Sequence, residues 1–138
     1  MKRFALTFLA ALMCVLSAGF GCGSAQAYSD ADLQKLMTTG SCVECDLSGA
    51  VLIHMKLSGA DLKNANLTSA NLTDTYLVGA NLERANLSRA ILTSTNLAGA
   101  NLLRAKLGGA NLLFANMSGA TWTDGAQCQR HSSGSCKR

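Results

Sequence analysis

The sequence predicts an all-β solenoid, a square coil of twenty residues per turn and about four coils deep. Three observations predict it. From Cys45 to Asp124 an apolar residue recurs every five positions: Leu47, Leu52, Leu57 and so on to Leu112, then Met117 and Trp122. Two places before each stands a small residue, usually alanine, as at Ala60, Ala65, Ala70, Ala80, Ala85 and Ala120. Sixteen such repeats pass without insertion or deletion. A period of five suits neither a helix, which wants 3.6, nor a flat strand, which wants 2. It suits a chain that turns a corner every five residues, so that four corners close a square. Layers stacked roughly 4.8 Å apart make a rod about 19 Å long.

The residue types agree. Leucine fills the middle of the square and alanine the crowded corners. The chain contains no proline, which would delete a ladder donor. Asn, Asp, Ser, Thr and Gly fill most outward positions, as turn formers do. Segments such as Ala70-Asn71-Leu72-Thr73 and Ala110-Asn111-Leu112-Leu113 resemble the consensus of the pentapeptide-repeat family: Ala, then Asp or Asn, then Leu, then two variable residues. The resemblance covers about 80 of 138 residues. It implies a right-handed quadrilateral β-helix, and it carries little functional information because the repeats encode architecture.

Before the repeats, Lys2 and Arg3 lead into an apolar run from Phe4 to about Leu16, followed by small residues and Ala25-Gln26-Ala27. That order is a secretory signal peptide over 1–27, cut after Ala27. An uncleaved anchor is the competing reading, but the apolar run is short for a spanning helix. Lipid attachment at Cys22 is disfavoured by the poor Gly19-Phe20-Gly21 lead. Export places the chain in the periplasm or outside the cell. Losing Lys2 and Arg3 leaves ten basic and eight acidic residues, a net charge of about +2. So slight a balance makes no electrostatic case for nucleic acid.

Residues 28–44 are expected to form a capping helix and lead-in. Ser29 or Asp30 can cap a helix running to Met37, with Leu33, Leu36 and Met37 on one face and Gly40 as its stop. Such a helix would cover the first coil, whose bare end would otherwise offer unpaired strand edges. The stretch from Leu36 to Ala50 also resembles the start of many exported pentapeptide-repeat proteins. The repeats occupy 45–124, with Trp122 closing the last coil. Residues 125–138 form a cysteine-stapled capping tail, which Thr123-Asp124-Gly125 opens as a turn; Thr121 to Gly125 again resembles exported relatives.

Four cysteines remain after the leader: Cys42, Cys45, Cys128 and Cys136. An even count in an exported chain points to disulfides, with three pairings open. Local pairing, Cys42 with Cys45 and Cys128 with Cys136, is preferred because the two pairs lie at opposite ends of the rod. A thiol-redox centre at Cys42 and Cys45 is the alternative, disfavoured because Cys45 takes an inward repeat position. A zinc site from Cys42 and Cys45 with His54 as a distant third ligand lacks the spacing of a known finger, and a metal site from Cys128, His131 and Cys136 is likewise disfavoured.

Three surface features stand out. Gly59, Gly79, Gly99 and Gly119 form one column, read as relief of turn strain. Val51, Ile53, Ile91, Leu113 and Phe114 fall on one wall and make a candidate contact surface for a protein partner or a second copy. Arg84 and Arg104 stack one coil apart with Arg89 and Lys106 around the next corner, an edge that either stays solvated or holds an anion; Glu83 can relieve Arg84. Inside, Thr75 and Thr95 replace alanine, and their hydroxyls need a partner, either each other or a carbonyl.

Catalysis is not expected. Two histidines and scattered carboxylates supply no converging acid and base, a leucine-filled rod has no interior pocket, and no phosphate loop, triad, metal or cofactor motif appears. The best-known activity in the resembling family, mimicry of DNA towards topoisomerases, requires a long acidic cytosolic rod and does not carry over. What remains is an exported structural or interaction module.

Overall fold

The computed structural model describes residues 28–138; the signal-peptide expectation lies outside them. Parallel bridges join residues twenty apart, from Ser41 with Asp61 to Asn101 with Thr121. The chain therefore closes one square coil per twenty residues. Four walls result: the first from residues 45–49, 65–69, 85–89 and 105–109; the second from 50–54, 70–74, 90–94 and 110–114; the third from 55–59, 75–79, 95–99 and 115–119; the fourth from 60–64, 80–84, 100–104 and 120–124.

One repeat shows how all five backbone N–H groups are used. Asn71 N–H donates up to Ala50 O at 2.9 Å, while Leu72 N–H and Asp74 N–H donate down to Ile91 O at 2.7 Å and Thr93 O at 3.0 Å. Thr75 N–H closes the corner on Leu72 O at 3.1 Å. The fifth, Thr73 N–H, donates to the side-chain oxygen of Asn71 at 3.1 Å. The Asn or Asp before each central leucine therefore takes the one amide that the ladder leaves over, which accounts for its recurrence. Its amide can also reach its counterpart a coil away, as Asn66 Nδ2 does to Asp46 Oδ1 at 3.0 Å.

Each corner is a type II turn, whose third residue needs a positive φ. All sixteen residues at that place, from Glu44 to Gly119, have φ between 54° and 71°. Glycine accepts this freely, and the Gly59 column has open space where a side chain would stand. Ten of the sixteen are not glycine, among them Arg84, Arg89, Arg104 and Phe114, and each carries backbone strain of about 1 kcal/mol.

The core is a continuous leucine column flanked by alanines, buried from Leu47 to Leu102. Thr75 and Thr95 do not bond to each other. Their hydroxyls donate one coil back, to Leu52 O at 2.6 Å and Leu72 O at 2.7 Å.

Both ends carry a cap. Helix α1 spans Asp30–Thr39, two residues beyond the expected end; Ser29 accepts from Asp32 N–H and Gly40 stops it in the left-handed region. Leu36 is buried on the first coil and Leu33 packs beside it. Met37, expected on the same face, is instead 53% exposed: the coil is narrower than the helix stripe, and Met37 overhangs its edge. At the other end the tail runs antiparallel beneath the fourth and third walls, pairing Thr121 with Gln127 and Asn116 with Ser133. Trp122 is partly buried against the last leucines.

Candidate functional site

A rod of this build offers chemistry only on its walls and ends, so departures from the repeat are the informative residues. Where Asn or Asp precedes the central leucine, its side chain holds a backbone amide; ten repeats do this. Val51, Lys56, Tyr76, Ile91, Lys106 and Thr121 replace it. Each gives up a bond worth about 1 kcal/mol, so the coil's own backbone pairing does not account for these side chains.

Two of them define the second wall. Val51 and Ile91 stand two coils apart in one column, with Asn71 between and Asn111 below. Ile53 and Leu113 share the next column with Thr73 and Thr93, and Phe114 ends a column that begins at His54. All five predicted apolar residues are exposed on this wall, Val51 and Phe114 each at 67%. Polar residues of the middle coils split them into an upper pair, a central Ile91 and a lower pair. Phe114 carries a bulky ring at φ 60°, a conformation rarely given to such a residue.

Two further apolar residues escaped the sequence reading, Tyr76 and Val78, exposed on the third wall. The replacement of the expected Asn by Tyr76 is the signal that marks them. Tyr76 stands against Lys56 and Ser58 around a shallow hollow. A second cleft lies between the end of α1 and the third wall, lined by Met37, Thr39, Met55, Lys56 and Ser58.

In the basic edge Arg84 and Arg104 stand at the corner that leads into the first wall, with Lys106 and Arg89 on that wall. Glu83 relieves part of the crowding: its carboxylate lies 3.1 Å from Lys63 Nζ and 3.7 Å from Arg84 Nε. Arg89, Arg104 and Lys106 form no ion pair among the described residues.

The cysteines join locally, Cys42 with Cys45 and Cys128 with Cys136. Cys42, Cys45 and Cys128 are buried, so the first pair offers little to a redox partner. His54 is exposed and lies 3.8 Å from Asp74. Among the described residues no three His, Cys, Asp or Glu side chains come together to hold a metal ion, so neither His54 nor His131 joins the cysteines. Asp46 has its carboxyl held below the usual value, chiefly by Ser48 through its hydroxyl and N–H, with Asn66 adding to it. No described helix is long and apolar enough to cross a membrane.

Residues 45–84 and 85–121 match the family described as Pentapeptide repeats, in eight copies. No curated relative matches. Among solved structures the chain is similar to HetL of the cyanobacterium Nostoc sp. strain PCC 7120, a pentapeptide repeat protein involved in heterocyst differentiation regulation. The two are 38% identical with a TM-score of 0.62, over 63% of this chain and 40% of HetL. It is similar as well to alr5209, a Nostoc pentapeptide repeat protein, at 35% identity and TM-score 0.62, over 69% of this chain and 80% of that one. A third is AT2G44920 from the Arabidopsis thaliana thylakoid lumen, at 30% identity and TM-score 0.50, over 64% and 72%. The chain thus spans two fifths of HetL's length. These likenesses imply a right-handed β-helix.

Proposed function

Since the chain belongs to the pentapeptide-repeat family, whose repeats build a rod and not a cleft, we propose that it is a non-catalytic, exported interaction module. Its second wall is the contact surface, and the occupant is a partner protein or a second copy of the chain. One observation carries this reading. On that wall Val51 and Ile91 displace the asparagine that the coil would use, and Phe114 holds a strained corner, yet all three side chains face solvent. Residues that cost the fold stability and gain it no burial are consistent with a role in contact.

Export is supported by the leader pattern of residues 1–27 and by the two disulfides, which persist in oxidising compartments. A relative from the thylakoid lumen is likewise a protein beyond a membrane. The thiol-redox or metal-binding alternative at Cys42 and Cys45 is weakened by the burial of both residues. Thiol titration and metal analysis of the purified protein decide it: zero free thiols and no bound metal remove it.

Crosslinking in a periplasmic extract tests the main reading. A captured partner, or a crosslinked dimer, that disappears with Ile91→Asp plus Phe114→Asp is the expected result. No capture by the native protein counts against the reading.

A further inference from the structure

Each end of the rod is sealed over only part of its perimeter, and the unsealed part of the C-terminal end has a chemistry of its own. Beneath the third wall the tail takes the edge amides: Met117 N–H donates to Ser132 O at 2.8 Å and Gly119 N–H to Cys128 O at 3.0 Å. Beneath the last layer of the fourth wall, 120–124, Trp122 N–H donates to Ala126 O at 2.7 Å and Cys128 N–H donates to Ala120 O at 2.9 Å. Beneath the first and second walls no segment of the described residues pairs with the edge, and only Gly134 comes alongside it, at Leu112 and Phe114. Among the described residues the N–H groups of Leu107, Gly109, Leu112 and Phe114 and the carbonyls of Ala105 and Ala110 have no protein partner. One coil up, the matching amides all have one: Leu87 N–H to Lys106 O at 2.8 Å, Arg89 to Gly108 O at 2.9 Å, Leu92 to Asn111 O at 2.7 Å and Ser94 to Leu113 O at 2.9 Å. Leu107 and Leu112 are correspondingly only half buried. The edge runs around the Gly108-Gly109-Ala110 corner and ends where Gly134 comes alongside Leu112 and Phe114.

Charge divides along the same axis. Residues 28–83 carry seven carboxylates and three cationic side chains, whereas residues 84–138 carry seven cations and a single carboxylate, Asp124. That carboxylate is already taken by Arg138 at 2.6 Å. Three unpaired cations flank the open edge. Lys106 opens it, Arg104 stands at the corner before it, and the stem of Arg89 lies along Gly109. At its other end Leu113 and Phe114 are exposed.

We propose that this edge receives a segment of a partner protein by strand addition, extended along each wall and bent at the corner between them. Main-chain hydrogen bonds to Leu107, Gly109, Leu112 and Phe114 supply affinity. Carboxylates of the incoming segment lie over Lys106, Arg104 and Arg89, and its apolar side chains cover Leu107, Leu112 and Phe114. A second copy is the poorer occupant, because joining two such ends gathers six like charges. This edge shares Phe114 with the second-wall contact, but the open amides and the cations that define it do not depend on that reading.

The probe is a short fluorescent peptide of alternating valine and glutamate, followed by anisotropy at low salt. Saturable binding is expected, weakened about tenfold or more by Lys106→Glu with Arg104→Glu, by lysine in place of glutamate in the peptide, and by raised salt. Methylating alternate peptide amides should abolish it, since strand addition needs them. Ile91→Asp should leave it unchanged, which separates this edge from the wall. The charge variants sit on exposed positions and should melt with the native protein, so lost binding is not lost folding. Absent saturable binding, equal binding of the lysine or methylated peptides, or a stable dimer that buries this edge and dissociates with Lys106→Glu overturns the proposal.

Discussion

Leu92 and Leu112 hold the same place on the same wall, one coil apart. Leu92 is fully buried and its N–H meets Asn111 O. Leu112 is half buried and its N–H meets no protein group. The repeats around them, Ala90-Ile91-Leu92 and Ala110-Asn111-Leu112, are closely alike, so the difference does not come from local sequence. It comes from what lies beneath. In a solenoid each repeat specifies a layer, but only the adjoining layer turns that layer into core.

Substituting these two leucines is the strongest way to break the comparison. Leu92→Ala should cost about 3 kcal/mol in urea denaturation, and Leu112→Ala only about 1 kcal/mol, because a half-buried side chain leaves a smaller cavity. Equal losses would mean that the last coil is as enclosed as the others. Next in size is the staple that seals the third wall. Replacing Cys128 and Cys136 by serine should cost about 2.5 kcal/mol, the loop-closure value for so short a loop, and should loosen the amides of Met117 and Gly119 first.

Two substitutions should stabilise the rod. Ile91→Asn restores the side-chain acceptor for Thr93 N–H and should gain about 1 kcal/mol. Phe114→Gly relieves a positive φ and should gain a similar amount. Thermal melts measure both, and both should weaken partner capture, so that stability and contact move in opposite directions. The smallest effect is the acid limb. The Asp46 carboxyl is held low in the folded chain, so its contribution is present above the ordinary carboxylate range and fades as pH falls through the folded value. Asp46→Asn should flatten that part of the stability profile, and an unchanged profile would assign it to another group.

Much of the fold was legible because one short pattern repeats. Leucine at every fifth place, alanine two before it and the absence of proline together allow only a cornered coil. The helix stop at Gly40 and the local pairing of the cysteines could also be read. The left-handed corner was signalled by glycine at six of sixteen sites, yet nothing local marks Arg84, Arg89, Arg104 or Phe114 as adopting it, since the closed coil imposes that conformation. Met37 illustrates a similar limit: its spacing places it with Leu36, and the width of the coil decides which of the two is covered.

The candidate site was legible in part. The apolar residues of the second wall follow from counting in twenties. Tyr76 and the open C-terminal edge do not follow as readily. The edge depends on which wall the tail covers, and that path is fixed by Cys128, Ser132 and Gly134 meeting residues 115–120. The charge division is present in the sequence, but only the stacking of coils makes it the two ends of a rod.

Amide hydrogen exchange, read residue by residue, tests the incomplete last layer most directly. In the free protein Leu107, Gly109, Leu112 and Phe114 should exchange fast beside slow Leu87, Arg89, Leu92 and Ser94, and the fast set should slow when the valine–glutamate peptide binds. Equal protection of the two sets in the free monomer, or no slowing at saturating peptide, would contradict it.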